Sequence, residues 1–400
     1  MMKVSRIGIC LMIALLAAPF ASLRAQGGED LKTKFAPIYT AVPALSIAPD
    51  ARGGALGDNG VATTPDISSQ YWNAAKYAFN YSKAGVALSY TPWLRKLVND
   101  VGLAYLSGFY KIGDSDLQAI GASVRYFSLG EVDDTQGEIG GIPAIINPYE
   151  MAIDVSYSRK LSESYSMAVA LRYIRSDMNA QTTDDMTPAN GYAADVSGYL
   201  EKYVMLGYSE SLWSFGFNIS NIGTKITYDG GNTNKFLPAK LQIGTGLLYP
   251  LDDFNTIGFY LDLSKYLVPS MPVLSNNPSD EEIEKYTKAR ADYESMGSIK
   301  GVFKSFTDSP QGFSGEMKEV MASIGVEYGY NDQFFLRGGY YYENENMGNR
   351  QYFSLGAGFK MSVFQLDAAY LISTVPSNPL DQTLRFSLSF DMDGLRNLFR

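Results

Sequence analysis

The chain has 400 residues, a formal net charge of −9, one cysteine and no histidine. The absence of histidine excludes catalytic sites that use a histidine base, HExxH metal sites and zinc sites that need histidine. An acidic chain is also a poor candidate for binding nucleic acid.

The N-terminal residues predict a secretory signal. Lys3 and Arg6 precede an apolar run over residues 7–20, and small residues lead to Ala25. A basic start, a short apolar core and a small residue at the end are typical of a cleaved signal peptide, here residues 1–25. The only cysteine, Cys10, would leave with it, so cysteine nucleophiles and cysteine zinc sites are excluded as well.

Residues 26–82 do not alternate and are rich in glycine and proline, which predicts turns. We expect this segment to fold into the lumen of a wide barrel as a plug, with a periplasmic arm as the alternative. The predicted plug residues are Arg52, Gly53, Gly54, Asp58, Trp72 and Asn73. Residues 53–58 look superficially like a phosphate-binding loop, but they lack the following Lys-Ser/Thr and the preceding strand.

Residues 83–400 contain about fourteen segments of roughly ten residues that alternate between apolar and polar side chains, near the length of a tilted transmembrane strand. In the last of them Leu384, Phe386 and Leu388 oppose Arg385 and Ser387. The predicted strands lie near residues 83–91, 100–111, 117–128, 150–159, 164–176, 191–201, 211–220, 239–249, 254–264, 319–330, 334–343, 350–360, 362–372 and 382–392. The fold class predicted is therefore all-β, a transmembrane antiparallel β-barrel of about 14 strands.

Short and long links between these segments tend to alternate, as they do in barrels of the outer membrane. Short links follow the second, fourth, eighth, tenth and twelfth strands, and long links follow the third, fifth, seventh and ninth. Bacterial barrels have short periplasmic turns and longer outer loops, so we predict a multi-pass protein of the cell outer membrane. The sixth link, near residues 202–210, and the short first outer loop fit this alternation less well.

Charged residues recur on the polar faces of the strands, which predicts that they point into the lumen. They are Arg125, Asp154, Arg172, Asp195, Asp262, Glu327, Lys360, Asp367 and Arg385. Because both signs are present, a network of paired charges that holds the plug is favoured over a selective ion path.

The longest outer loop covers residues 265–318 and is predicted to bind a partner or cargo. Ser279 and Glu282 form a capping-box pattern, which predicts a helix after them. Exposed apolar side chains on so long a loop usually mark a contact surface. The predicted contact residues are Leu267, Val268, Met271, Val273, Leu274, Phe303 and Phe306.

No catalytic, metal-binding or cofactor-binding residue is predicted. Acidic pairs such as Asp252 with Asp253 lack calcium-loop spacing, and solvated loops account for them. A Ser-Lys or carboxylate mechanism has no local signature in the sequence. The chain is therefore not expected to be an enzyme.

Residues 43–58, 66–75 and 89–100 closely resemble the PorV family of type IX secretion, and the stretch from Gln70 to Asn73 is part of that resemblance. It continues through residues 125–130, 147–150 and 170–177. The wider group is similar to FadL-type barrels, whose luminal segment carries an Asn-Pro-Ala element. Here that element is Asn73-Ala74-Ala75, without the proline.

The resemblance implies a non-enzymatic protein that receives cargo through a C-terminal signal domain and carries it from the translocon to the surface attachment complex. The partners it implies are the translocon barrel, the attachment complex with its sortase-like subunit, the cargo signal domains and outer-membrane lipid. A FadL-like channel for hydrophobic small molecules is the alternative, and an apolar luminal pocket would distinguish it. A lipid-modifying barrel enzyme is a third hypothesis, which the absence of histidine disfavours.

Overall fold

The computed structural model describes residues 37–93, 100–113, 116–139, 142–178, 187–231, 234–274, 278–309, 311–375 and 380–392. The predicted signal peptide lies outside the described residues. No helix within these ranges is long and apolar enough to cross a membrane.

Fourteen strands of the described chain form a closed antiparallel barrel, as the alternation predicts. They are β1 Ala84–Pro92, β2 Val101–Ile112, β3 Gln118–Leu129, β6 Tyr149–Lys160, β7 Tyr165–Asp177, β8 Ala189–Leu206, β9 Ser209–Gly223, β10 Lys240–Pro250, β11 Asn255–Tyr266, β12 Met321–Tyr330, β13 Phe334–Tyr342, β14 Gln351–Lys360, β15 Phe364–Ser373 and β16 Leu384–Asp391. Between β3 and β6, β4 Val132–Ile139 and β5 Ile142–Ile146 form a separate two-stranded sheet. The sequence analysis treated this hairpin as part of a long outer loop.

The barrel register explains why the sequence alternates. On β10 and β11, Ile243 lies opposite Leu263, and Gly244 lies opposite the buried Asp262. Opposed residues share a face of the sheet, so apolar side chains collect outside and polar ones inside. The barrel closes where β1 pairs with β16, from Gly85 opposite Asp391 to Tyr90 opposite Phe386.

Six links of two to five residues lie at one end of the barrel. The chain enters and leaves at this end, since Ser82 hydrogen-bonds Asp391 and the Asp391 amide donates to the Val363 carbonyl. This is the predicted periplasmic end. The prediction of a link over residues 202–210 was wrong: β8 and β9 continue through it and leave a turn at Gly207 and Tyr208.

The helices are short except for one in the longest outer loop. They are α1 Ala51–Ala55, α2 Ser69–Trp72, α3 Asp280–Ser295, α4 Ser298–Lys304 and α5 Phe313–Lys318, with 3-10 helices at Pro43–Ser46 and Ala74–Phe79. The predicted capping box of α3 is present, because the Ser279 side chain accepts from the Glu282 amide and the Glu282 side chain accepts from the Ser279 amide.

Candidate functional site: the luminal segment and the outer loop

Residues 37–83, called here the luminal segment, lie inside the barrel and bond to its wall. The Asp50 carboxylate caps α1 by accepting from the Gly53 amide at 2.7 Å, and it also accepts from Trp72 Nε1 at 2.6 Å. The Ala51 amide donates to Ser387 Oγ of β16 at 2.8 Å. Asp50 therefore caps α1 and also holds the Trp72 indole in place. The first residue of α1 is bonded to the barrel wall at Ser387.

Arg52 joins the luminal segment to a buried chain of ion pairs. Its Nη1 lies 2.9 Å from Asp66 Oδ2, and its Nη2 lies 2.9 Å from Glu327 Oε1 on β12. Arg337 Nε meets the other oxygen of Glu327 at 2.6 Å, and its Nη1 meets Asp367 Oδ1 at 2.6 Å. Charge-assisted bonds away from water are strong, and removal of one partner leaves a buried charge uncompensated.

Two glycines of the luminal segment make room for Trp72. A Cβ added at Gly60 would lie 2.3 Å from Trp72 Cδ2, and one at Gly53 would lie 2.5 Å from Trp72 Cζ2. Contacts this short are not tolerated, so only glycine lets the backbone lie against the indole. Gly54 makes equally close room for Arg385.

Asp58 has a left-handed backbone conformation and is bonded to two strands. Its φ is +57°, in the left-handed region that Asp and Asn tolerate better than other non-glycine residues. Its carboxylate accepts from Tyr352 Oη at 2.6 Å on β14 and pairs with Arg385 on β16.

Asn73 organises the turn that follows α2. Its side-chain oxygen accepts from the Ala75 amide at 3.1 Å, and its Nδ2 donates to the carbonyls of Val61 at 3.0 Å and Gly198 at 2.9 Å. Asn73 thus ties two parts of the luminal segment to β8. The turn forms without the proline of the family element.

A second ion-pair network lies in the barrel wall. Arg172 Nε meets Asp154 Oδ1 at 2.6 Å, and its Nη2 meets Asp195 Oδ2 at 2.9 Å. The predicted luminal charges Arg125, Asp154, Arg172, Asp195, Asp262, Glu327, Asp367 and Arg385 are all buried, and Lys360 lines a luminal cavity. The sequence analysis therefore placed these side chains correctly, on the inner face.

The outer loop, residues 267–320, is held down by an apolar base. Leu267 is 3 % exposed and Val268 is 1 % exposed, and both pack with Phe236, Tyr293 and Met296. The premise that Leu267 and Val268 are exposed contact residues is therefore wrong. The apolar run correctly indicates a surface that needs to be covered. In the structure Tyr293 and Met296, at the end of α3 in the same loop, cover Leu267 and Val268.

Lys225 connects the C-terminal end of α3 to the apolar base, and we call such a lysine contact a latch. Its Nζ donates to the carbonyls of Tyr293 at 3.2 Å and Glu294 at 2.9 Å and lies 4.1 Å from the centre of the Phe236 ring. A cation at a helix C-terminus satisfies carbonyls that have no partner within the helix. Burial lowers the pKa of Lys225 from its ordinary value, while Glu294 opposes that shift.

A second latch holds the far end of the outer loop. Lys265 Nζ pairs with Glu316 Oε2 at 2.9 Å and also with Glu319. Burial raises the pKa of the Glu319 carboxyl, and Lys265 acts against that rise. The described residues contain no group of three or more acidic side chains that could hold a metal ion.

Above this base the outer loop keeps large apolar side chains in solvent. Val273 is 70 % exposed, Phe303 73 % and Phe313 80 %. The outer apolar set, as we call it, consists of Val273, Ile299, Phe303, Phe306, Phe313 and Met317. Of the other predicted contact residues, Met271 is half-buried against the base and Leu274 is 37 % exposed.

The family model of the type IX secretion system protein PorV matches residues 31–273. The chain belongs to the PorV family. This PorV-family barrel is therefore an outer-membrane component of type IX secretion. The match covers the luminal segment and the barrel strands up to β11, and it ends within the outer loop.

Several solved structures are similar to this PorV-family chain. The toluene transporter TodX of Pseudomonas putida is 10 % identical, with a TM-score of 0.48 over 84 % of this chain and 96 % of that one. A FadL homologue of Pseudomonas aeruginosa is 12 % identical, with a TM-score of 0.40 over 89 % and 99 %. The toluene transporter TbuX of Ralstonia pickettii is 9 % identical, with a TM-score of 0.41 over 86 % and 96 %. No curated protein matches the sequence.

The sequence analysis missed part of the outer surface of this PorV-family protein. Ile299 and Met317 belong to the outer apolar set, and Lys225 and Phe236 form the base from a different loop. Ile299 and Met317 flank the predicted phenylalanines and could have been found from local hydrophobicity. Lys225 and Phe236 could not, because their partners lie about sixty residues further along the chain.

Proposed function

We propose that this PorV-family barrel is a non-enzymatic cargo carrier. It binds exported proteins through their C-terminal signal domain at the translocon barrel and delivers them to the surface attachment complex, which includes a sortase-like subunit. The observation that carries the proposal is the outer apolar set, presented on a loop whose base is fixed by packing and two lysine latches. A fixed loop can bind without a large ordering cost.

The lumen gives separate support to a binding role. The luminal segment lies across it and is bonded to β8, β12, β14 and β16. The luminal cavity that Lys360 lines carries ten charged side chains, which does not favour the alternative of a FadL-like channel for hydrophobic molecules. The absence of histidine from the chain supports a non-enzymatic role.

The test replaces Val273, Phe303 and Phe306 with serine and follows a reporter protein fused to a C-terminal signal domain. We expect at least a ten-fold loss of surface-attached and released reporter, because the apolar contact is removed while the loop base remains intact. The matched control replaces Leu251 and Phe254, which are exposed at the opposite end of the barrel. Normal secretion by the triple variant, present at wild-type amount in the outer membrane, would rule out this surface as the cargo or partner site.

A further inference from the structure

A cavity of about 420 Å³ remains in the lumen at the end with the short links. Asp332 and Met361 from two of the short links line it, as does Asp391 at the end of β16. Arg52 and Asp66 of the luminal segment line it as well. The luminal segment forms its floor. We call it the periplasmic chamber.

The charge of the chamber is negative. Seven carboxylate side chains and three cationic side chains line it, a formal excess of four negative charges. Arg52 and Arg337 are already paired with Asp66, Glu327 and Asp367. A concave site with one dominant sign concentrates its field and attracts groups of the opposite sign.

A β-hairpin projects beside the chamber. The pairing of β8 with β7 ends at Leu200, and the pairing of β9 with β10 ends at Leu212. Beyond these points residues 204–206 and 209–211 pair only with each other among the described strands, and Lys202 and Tyr203 pair only with β9. At roughly 3.3 Å per residue, β8 therefore extends about 20 Å past its last pair with β7, and β9 extends about 10 Å past its last pair with β10.

The projecting edge is apolar, which is unusual for an unpaired strand. The edge begins with the exposed Lys202, after which residues 203–206 read Tyr-Val-Met-Leu without a charge; Tyr203, Met205 and the turn residue Tyr208 are exposed. Tyr81, which is also exposed, lines the chamber. Proteins normally protect such edges with charges, prolines or a covering element, because a free edge pairs readily with another strand.

We propose that the periplasmic chamber and the projecting hairpin together bind an extended, lysine- or arginine-bearing segment of a periplasmic protein. The segment adds a strand to the free edge of residues 202–206 and places its cationic side chains in the chamber. Strand addition supplies main-chain hydrogen bonds, and the alternate side chains supply specificity. The negative chamber selects basic over acidic segments, and the exposed tyrosines and Met205 contact the apolar side chains in between. This site lies at the opposite end of the barrel from the outer apolar set and acts independently of it.

The test uses the mature protein in zwitterionic lipid nanodiscs and a fluorescein-labelled peptide of five Lys-Val repeats. Fluorescence anisotropy measures the dissociation constant, with empty nanodiscs as the background. Two further peptides separate the contributions, five Glu-Val repeats for charge and five Lys-Pro repeats for strand pairing, because proline has no amide hydrogen. We expect the Lys-Val peptide to bind, the Lys-Pro peptide to bind at least ten-fold more weakly, and the Glu-Val peptide not to bind.

Two variants locate the site. Deletion of residues 204–206 and 209–211 shortens the hairpin without changing its register and should abolish binding of the Lys-Val peptide. Glu201→Gln with Asp332→Asn should weaken it about five-fold, whereas Asp253→Asn, a carboxylate of the same end outside the chamber, should leave it unchanged. Heat-modifiable mobility on gels verifies that each barrel is folded.

Single-cysteine labelling gives an independent measurement, since Cys10 is the only cysteine and belongs to the predicted signal peptide. Met205→Cys should react with a membrane-impermeant maleimide, and the Lys-Val peptide should slow this reaction. Equal binding of Lys-Val and Lys-Pro peptides, or unchanged binding after hairpin shortening, would overturn the proposal. Poor maleimide labelling of Met205→Cys without peptide would instead assign the hairpin to the lipid surface.

Discussion

The luminal segment and the outer loop are both long, irregular stretches that the barrel holds in place, but they are held by different forces. The luminal segment is fixed by directional bonds, such as Arg52 to Glu327 and Asp58 to Tyr352. The outer loop is fixed by an apolar base around Leu267 and Tyr293, with one lysine latch at the end of α3 and another near the end of the loop. Directional bonds specify a single position, whereas apolar packing mainly requires that surface be covered.

The difference matches the positions of the two regions. A segment enclosed by the lumen needs partners for most of its polar groups, because a buried group without a partner costs free energy. A loop in solvent has no such requirement and can leave side chains such as Phe303 and Phe313 uncovered. The enclosed region is therefore suited to sealing the lumen and the exposed region to binding.

The largest effect is expected from Glu327→Gln. Glu327 lies between Arg52 and Arg337 and pairs with both. Its neutralisation leaves each of these buried guanidinium groups with one carboxylate partner, Asp66 or Asp367. We expect the luminal segment to be destabilised by about 3–5 kcal/mol, the usual cost of removing one member of a buried ion pair. The ion conductance of the protein in planar bilayers should rise, and trypsin should cut at Arg52 or Lys76.

The matched control for that variant is Glu281→Gln, which removes a pair with Lys285 whose side chains are 76 % and 74 % exposed. A solvent-exposed pair of this kind contributes at most about 0.5 kcal/mol. If Glu327→Gln and Glu281→Gln gave the same low conductance, directional bonds would not be what holds the luminal segment.

Leu267→Ala tests the apolar base of the outer loop. Deletion of a buried leucine side chain should loosen the loop by about 2–3 kcal/mol, in the lower part of the range for such changes, because a surface loop can partly collapse into the space. Hydrogen exchange in α3 should accelerate while exchange in the luminal segment stays unchanged. The comparison variant is Phe303→Ala, where an exposed ring is removed and no change in exchange is expected. Equal acceleration by both variants would contradict the division into base and exposed set.

The sequence was sufficient to predict the barrel because alternation is a local property. All fourteen barrel strands were predicted, with ends within two residues except in β8 and β9. The inward charges were predicted for the same reason. Their partners were not, since Arg52 meets Glu327 across 275 positions and no local pattern encodes that pairing.

Burial within the outer loop was also beyond the sequence. Leu267, Val268 and Val273 are equally apolar and lie within seven positions, yet only the first two are covered. What separates them is the return of α3 over the loop base and the contribution of Phe236 from another loop. Local hydrophobicity identifies a surface that can bind, and the tertiary structure decides whether the chain itself occupies it.

The smallest effect is expected from Lys225→Met, which keeps most of the side-chain length and removes the charge. The two carbonyls at the end of α3 lose their donor, and the contact of the ammonium with the Phe236 ring is lost. A cation at a helix C-terminus contributes about 0.3–1 kcal/mol when exposed and more when partly buried, so we expect a loss of about 1 kcal/mol. Hydrogen exchange should increase in the last turn of α3 alone. Lys285→Met, on the exposed part of the same helix, should leave that turn unchanged. If Lys225→Met loosened the whole outer loop as much as Leu267→Ala, the latch and not the apolar base would position the loop, and the contrast with the luminal segment would disappear.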